Sequence, residues 1–558
     1  MLTRHGDKPI LLELDLAHPI VETEPDDPIA KLRTRGKPRL RPILRTLHDA
    51  GDDERVVGLV ARVGAAGQTL AQVQEIRTAV AAFRASGKPT VAWAETFGET
   101  APGSIPYFLA TAFDEIWLQP SGDVNLIGLS AEVQFLRGLL DKVGVEPQIN
   151  QRYEYKNAVD RLLRSEMTDA HREAIGRLTE SSWEQVVQGI AEARGLKPHE
   201  VQAVADRAPL LAQDAIEARL VDRVGYRDEV YTSLRRKVGA DVKLLFADKW
   251  TRPEKPVARV LRQVKQKKAP GVAVVDGYGA VVMGRSRRSP LQGQMMGSDT
   301  VSAALRAAVK DERVRAIVFR VDSPGGSYVA SDTIWREVVC AREAGKPVIV
   351  SMGAVAGSGG YFVACPADVI VAEPGTITGS IGVFGGKAVT AALTDKLGVS
   401  YGAVQQGRNA LMFSTHRTFD ANELERLDAF LDHVYDDFTS KVASGRNMSQ
   451  DDVQAIAKGR VWTGADAAER GLVDTLGGLR DAVRIARERA DLPADAPARP
   501  AVTIPPLARL KPPRSTDDPR AAAAVSMWSA GWGSYAQVAE RLGLSAYGPL
   551  MMTGVTLR

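Results

Sequence analysis

The chain repeats itself, and that repeat constrains its architecture more than any other feature. DDERVVGLVAR from Asp52 matches KDERVRAIVFR from Lys310, and FRASGKP from Phe83 matches AREAGKP from Ala341, both at a spacing of 258 residues. Further along, Tyr107 pairs with Tyr361, Asp114 with Asp368, Ile127-Gly128 with Ile381-Gly382, and DKVGV at Asp141 with DKLGV at Asp395, now at a spacing of 254. The first copy has therefore gained four residues between these blocks. A register held over such distances marks two copies of one structural unit. Each copy alternates short β-branched runs (Val56–Ala61, Ala316–Val321, Val348–Ser351, Val369–Ala372) with helical stretches such as Ser331–Ala344. That alternation is the signature of parallel strands with helices on their faces. A single hydrophobic core stops growing at roughly 250–300 residues, so 558 residues have to divide in any case. The expected organisation is two similar α/β domains, residues 1–245 and 270–490, joined by a basic linker over 246–269. A Pro-rich connector and a Trp/Met-rich tail follow over 491–558.

Several functional classes drop out on composition. Hydrophobic residues at 44% and charged residues at 25% are ordinary for a globular protein. A formal net charge of +4 gives no electrostatic footprint for nucleic acid. Cys340 and Cys365 lie in apolar stretches and cannot build a disulfide framework. The opening MLTRHGDKPILLELDLAHP is interrupted by Glu13 and Asp15, so no signal-peptide core is read there. No uninterrupted apolar run reaches membrane-spanning length. RVLRQVKQKKAP, in the linker, suits an exposed segment and leaves peripheral contact with a membrane surface open. No cofactor or metal is expected.

A nucleophile candidate stands out in the second copy. A strand ending near Met352 runs into GAVAGSGGYFVA, which puts Ser358 at a glycine-rich turn opening a short helix. The first backbone N–H groups of a helix have no partner within it, so the N–H of Gly359 could stabilise an oxyanion formed when Ser358 attacks a carbonyl. The preceding strand, AIVFRV, ends in DSPGGSYVASDTI. Adjacent parallel strands bring both turns to one edge, where Gly325 and Gly326 could add a second donor beside a groove able to accept an extended peptide. Neither loop ends in Gly-Lys-Ser/Thr or spells G-x-G-x-x-G, which argues against a nucleotide.

A serine hydroxyl needs a base, and none of the seven histidines lies close in sequence to either glycine turn. Lysine is the next option. VDSPGGS, the SGGY turn, TGSIGVFG at Thr378, GRVWTGADAAERGLVDTLGG at Gly459 and YEYKNAVDRL at Tyr153 together resemble signal peptide peptidase A (protease IV), in the long, duplicated form of that family. The resemblance implies tandem Clp-protease/crotonase-like domains and a Ser/Lys dyad divided between the copies. Carried over by motif, the nucleophile is Ser358, the general base is Lys156, and Ser380 orients the lysine amine. Gly326 and Gly359 are the implied oxyanion donors, with Gly325 beside them. The repeat agrees with this division. The Lys156 position corresponds to Ala410 or, with a small shift, Arg408, and neither can act as a base at neutral pH. The Ser358 position corresponds to Ser104, but SIPY replaces SGGY and Pro106 has no N–H to donate. A free lysine titrates near 10.4, so the amine has to be buried to serve as a base, and the expected place is between the two domains.

Resemblance further implies peptide substrates that are extended and apolar, such as signal-peptide remnants, and a ring- or bowl-shaped homo-oligomer, a tetramer. Relatives of the long form commonly begin with a membrane-anchoring apolar segment. Its absence here points to the cytoplasm or the cytoplasmic face of the membrane. Two alternatives keep the scaffold but change the function: a crotonase-like acyl-CoA enzyme, and a non-catalytic peptide-binding scaffold of membrane quality control. A third keeps the peptidase and makes His416 the base.

Overall fold

The computed structural model describes residues 8–22, 37–64, 67–252, 268–289 and 293–502, and beyond these residues 515, 518, 520 and 550–552. Most of the basic linker and of the Trp/Met-rich tail lies outside the described residues.

The first copy builds a parallel sheet of six strands. Their spatial order is Arg223–Val224, Glu115–Leu118, Thr90–Ala94, Val56–Arg62, Ile10–Asp15, Lys243–Phe246. Thr90–Ala94 is buried at every residue, as expected of a parallel strand covered on both faces. Helix Leu70–Arg84 starts where Thr69 accepts a hydrogen bond from Gln72 N–H and buries Val73, Ile76, Val80 and Phe83.

The second copy repeats the plan. Val348–Gly357, Val314–Ser323, Gly271–Tyr278 and Ala498–Pro500 lie side by side in parallel, and Val369–Ala372 branches from the first of them. Ala498–Pro500 shows that the Pro-rich connector begins as an edge strand, a position where a missing proline N–H costs no ladder bond.

The duplication is also written in individual contacts. Tyr107 donates to the Leu220 carbonyl at 2.7 Å, and Tyr361 to the Leu472 carbonyl at 2.9 Å. Arg84 pairs with Asp114 as Arg342 does with Asp368. Lys88 reaches the Asp53 carbonyl, and Lys346 the Asp311 carbonyl.

Packing divides the chain differently from the repeat. One compact unit is drawn from Met1–Ser130 and Thr179–Gln263, the other from Ala131–Leu178 and Val264–Thr556. The segment 131–178 belongs to the first copy in sequence and to the second copy in space. Its strand Glu146–Arg152 pairs antiparallel with Val383–Val389 over the full length of both. Leu140, Val145, Ile149, Val159 and Leu162 close a small core with Phe384 and Ala388. Arg152 is held by Asp428 and Asp432, and Gln148 accepts from the Phe419 N–H at 2.8 Å. This arm belongs to a third sheet, ordered Arg287–Ser289, Gly293–Gly297, Ala280–Val282, Gly325–Ser327, Leu550–Met552, Val383–Val389, Glu146–Arg152.

Candidate active site

Strand Val348–Gly357 ends at Ser358, which begins the helix Gly359–Ala364. Ser358 has φ 55 and ψ −115, a conformation L-residues avoid and one that turns the side chain sharply at the end of a strand. The space at Gly359 is tight, with Ser331 Oγ only 2.7 Å from where a Cβ would stand. A Cβ on Gly359 would stand 3.1 Å from the Gly326 nitrogen and 3.2 Å from the Gly325 Cα. The two glycine turns are thus in contact, as the strand order of the sequence implied. Gly326, at φ 156, would drive a Cβ to 2.2 Å from the Val281 carbonyl oxygen. Gly325 N–H donates to Ser323 Oγ at 3.2 Å, so within the pair Gly326 is the better placed to serve an oxyanion.

The arm brings Lys156 to this turn. Its Nζ lies 2.8 Å from Ser358 Oγ, 2.9 Å from the Ser380 carbonyl oxygen and 3.0 Å from Ser380 Oγ. Lys156 and Ser358 are both fully buried and Ser380 nearly so. Loss of water alone holds the amine well below the ordinary lysine range. A neutral amine has two N–H bonds and one lone pair. The Ser380 carbonyl can only accept, so it takes one N–H; Ser380 Oγ can take the other; the lone pair is left facing Ser358. Ser380 itself sits at φ 52, fixed by its N–H to the Arg460 carbonyl at 2.7 Å.

The amine is therefore enclosed within one compact unit, in place of the expected enclosure between two domains. The cause is the arm, which carries a first-copy lysine into the unit built on the second copy.

The family model described as Peptidase family S49 matches residues 82–241 and again residues 340–493, one match in each copy. The chain belongs to peptidase family S49. It is 33% identical over 452 residues to "Serine protease SPPA, chloroplastic" of Arabidopsis thaliana, covering 80% of this chain and 64% of that one. It is 32% identical over 464 residues to "Protease 4" of Salmonella typhi, covering 81% and 72%. "Protease 4" of Haemophilus influenzae is 33% identical over 465 residues, covering 80% and 72%. The chain thus spans a little under two thirds of the chloroplastic relative and rather more of the two bacterial ones. As an S49 protein it is a serine peptidase, and each of the two family matches falls on one of the α/β copies. The acyl-CoA and non-catalytic alternatives give way to that membership.

Other sequence candidates fall outside this cluster. His416 stacks on Tyr401 with ring centroids 3.5 Å apart, and the nitrogen within reach of Ser358 Oγ is that of Lys156. Ser104 begins a helix and donates its hydroxyl to the Gly128 carbonyl at 2.8 Å. Cys365 is buried, and desolvation pushes its thiol up to about 12, which makes it inert. No group of metal-ligating side chains occurs among the described residues.

Sequence reasoning missed Gly459. It lies in a motif that carried the family resemblance, yet no role was read for it. Gly459 has φ 88, and a Cβ there would stand 2.5 Å from the Lys156 nitrogen and 2.6 Å from its Cα. The backbone of Lys156 rests directly against this glycine. Gly459→Ala is expected to shift the amine and lower kcat by about 10²-fold, the usual consequence of misplacing a reacting group by ~1 Å. Steady-state kinetics alongside an unchanged unfolding midpoint would separate that from misfolding.

Proposed function

We propose that this S49 peptidase hydrolyses peptide bonds with Ser358 as nucleophile and Lys156 as general base, on extended, apolar peptides such as signal-peptide remnants. The observation that carries the reading is the 2.8 Å approach of a buried amine to Ser358 Oγ with no carboxylate contributing to its depressed pKa. Lys156 takes the Ser358 proton as Oγ attacks the carbonyl, and the ammonium then gives it to the leaving amine. The N–H groups of Gly359 and Gly326 stabilise the oxyanion. In the second half Lys156 takes a proton from water, which attacks the acyl-enzyme and frees Ser358. Mass mapping of the protein after reaction with a slowly deacylating peptide ester tests this. The acyl group is expected on Ser358; turnover with no acyl group at that residue would remove the proposal.

The pH dependence has a definite sign. Only the neutral amine accepts a proton, so kcat/KM rises with pH through the depressed Lys156 pKa and levels off well below 10.5. Below that value the rate falls about tenfold per pH unit. The same shift affects folding. Between the depressed value and 10.5 the unfolded chain binds a proton at this residue and the native chain does not, so its contribution to stability rises with pH across that window. Ser380→Ala removes one acceptor that aims the amine, and a 10- to 100-fold fall, roughly, in kcat is expected with a displaced acid limb. An unaltered pH–rate profile would deny Ser380 its orienting part.

A homo-oligomer, a tetramer by family resemblance, completes the proposal. Residues 400–406 correspond in the repeat to the arm strand, yet they form no strand. Around them Val404 is 96% exposed and Leu397 and Phe413 are 71% and 64% exposed, an apolar surface suited to a second copy. Light scattering on the purified chain checks the subunit number. No helix among the described residues is long and apolar enough to cross a membrane. Residence in the cytoplasm or on the cytoplasmic membrane face belongs to the same proposal, and cell fractionation tests it.

A further inference from the structure

A short turn that carries none of the reacting atoms is bonded to every part of the site. Lys458 has φ 55 and Gly459 φ 88, two left-handed residues in succession that reverse the chain beside the lysine arm. The Lys458 carbonyl accepts the N–H of Tyr155, the residue before Lys156, at 3.2 Å. Gly459 donates its N–H to the Ile381 carbonyl at 2.7 Å and leaves room for the Lys156 backbone. The Arg460 carbonyl accepts the Ser380 N–H at 2.7 Å. One residue before Ser380, the Gly379 carbonyl accepts the Ser358 N–H at 2.7 Å, and Gly379 stands opposite Val461 in the pairing of Ile377–Gly379 with Val461–Thr463. Residues 458–461 thus reach the base, the residue that aims it and the nucleophile.

Such a turn aligns these groups only as well as it is itself held. The Lys458 amine is 3.4 Å from Glu154 at an exposed position and holds little. Arg460 supplies the firmer anchor. Its guanidinium lies over the Trp462 ring, 4.4 Å from the centroid, and over the Tyr155 ring at 4.9 Å. Its Nη1 stands 2.7 Å from one oxygen of Glu173, on the helix Asp169–Arg194, and the other Glu173 oxygen accepts the Tyr155 hydroxyl at 2.8 Å. Trp462 is buried and fixed in turn, donating its indole N–H to the Ile456 carbonyl at 3.0 Å. A planar guanidinium can stack on rings and bond a carboxylate at once, which an ammonium does far less well.

We infer that Arg460 is a positioning residue of the peptidase: its guanidinium, clasped by Tyr155, Trp462 and Glu173, fixes the 458–460 turn against which Lys156 and Ser380 are aligned on Ser358. The inference rests on the Ser358/Lys156 reading and adds to it a residue that touches no reacting atom. Desolvation alone depresses the Lys156 amine, so Arg460 acts through the backbone it holds and not through its charge.

The test uses the full-length chain with Arg460→Met, with Arg460→Lys, and with Glu173→Ala at a side chain that is 54% exposed. Rates on an unstructured apolar reporter peptide are normalised to active sites titrated to completion with a fluorophosphonate, so that misfolded molecules do not count. Misplacing a reacting group by ~1 Å costs about 10²-fold, and a fall of that order in kcat is expected for Arg460→Met at unchanged KM. Arg460→Lys and Glu173→Ala each keep part of the clasp and are expected to fall roughly tenfold. A loosened arm admits water to the amine, so the acid limb of kcat/KM moves to higher pH in all three. Adding Glu173→Ala to Arg460→Met is expected to cost nothing further, because both act through one contact. A normalised kcat and an acid limb equal to the parent's in Arg460→Met, whatever its unfolding midpoint, would overturn the inference. Should Arg460→Met yield no folded protein, the same result in Arg460→Lys and Glu173→Ala overturns it. Failure of the fluorophosphonate to label Ser358 in the parent sinks instead the nucleophile assignment beneath.

Discussion

Lys156→Met is expected to lower kcat by about 10⁴-fold or more, with Ser358→Ala equally damaging and the double variant no worse than either, because members of one proton-transfer unit act together. Methionine keeps the length and apolar stem of lysine and removes the amine that faces Ser358 Oγ at 2.8 Å. KM should move little, since neither group is asked to bind the ground state more tightly than the transition state. Lys156→Arg is expected to fail as completely: guanidinium stays protonated and has no lone pair to offer. Steady-state kinetics of the four proteins give the answer. Additive losses in the double variant would mean that the two residues act independently.

The second large effect is expected at Gly326. Gly326→Ala places a Cβ 2.2 Å from the Val281 carbonyl oxygen, a backbone atom that cannot swing aside. The strand has to shift, and with it the N–H proposed to meet the oxyanion. Loss of one such donor costs about 10²–10³-fold in kcat. The matching change at Gly325 is a useful contrast, because its N–H is already given to Ser323 Oγ. If Gly326→Ala kept kcat and raised only KM, the turn would be a substrate-binding edge with no share in the chemistry.

The parts of the site that could be read in the sequence are those written in local backbone chemistry. A strand followed by Gly-Ser-Gly-Gly dictates a tight turn into a helix, and Ser358 stands there. Paired glycines after the neighbouring strand dictate a second turn on the same edge, and Gly325 and Gly326 form it. The repeat gave two α/β copies, and the recurrence of the Tyr107 and Tyr361 contacts bears that out. Lys156 is different in kind. YEYKN is polar, and nothing local says its amine is buried; only motif and the reciprocal losses at Ala410 and Ser104 singled it out.

What the sequence concealed depends on pairing between distant segments. Connectivity assigns residues 131–178 to the first copy, whereas register with Val383–Val389 assigns them to the second unit. Glu146–Arg152, with Pro147, Asn150 and two glutamines, lacks the β-branched alternation that marks a strand, and nothing in it names Val383–Val389 as its partner. Gly459 was hidden for a similar reason: a glycine announces freedom of its own backbone, and here its value is the space it leaves for another residue's. Leu550–Met552 is shorter than any window in which alternation can be detected.

Phosphonylation of the active-site serine across pH, in the unaltered chain, in Lys156→Met and in His416→Ala, tests most directly that a neutral Lys156 activates Ser358. The account predicts an adduct at Ser358 near neutral pH that forms at the same rate in His416→Ala and is lost in Lys156→Met. Labelling of Lys156→Met at the parent rate would contradict it.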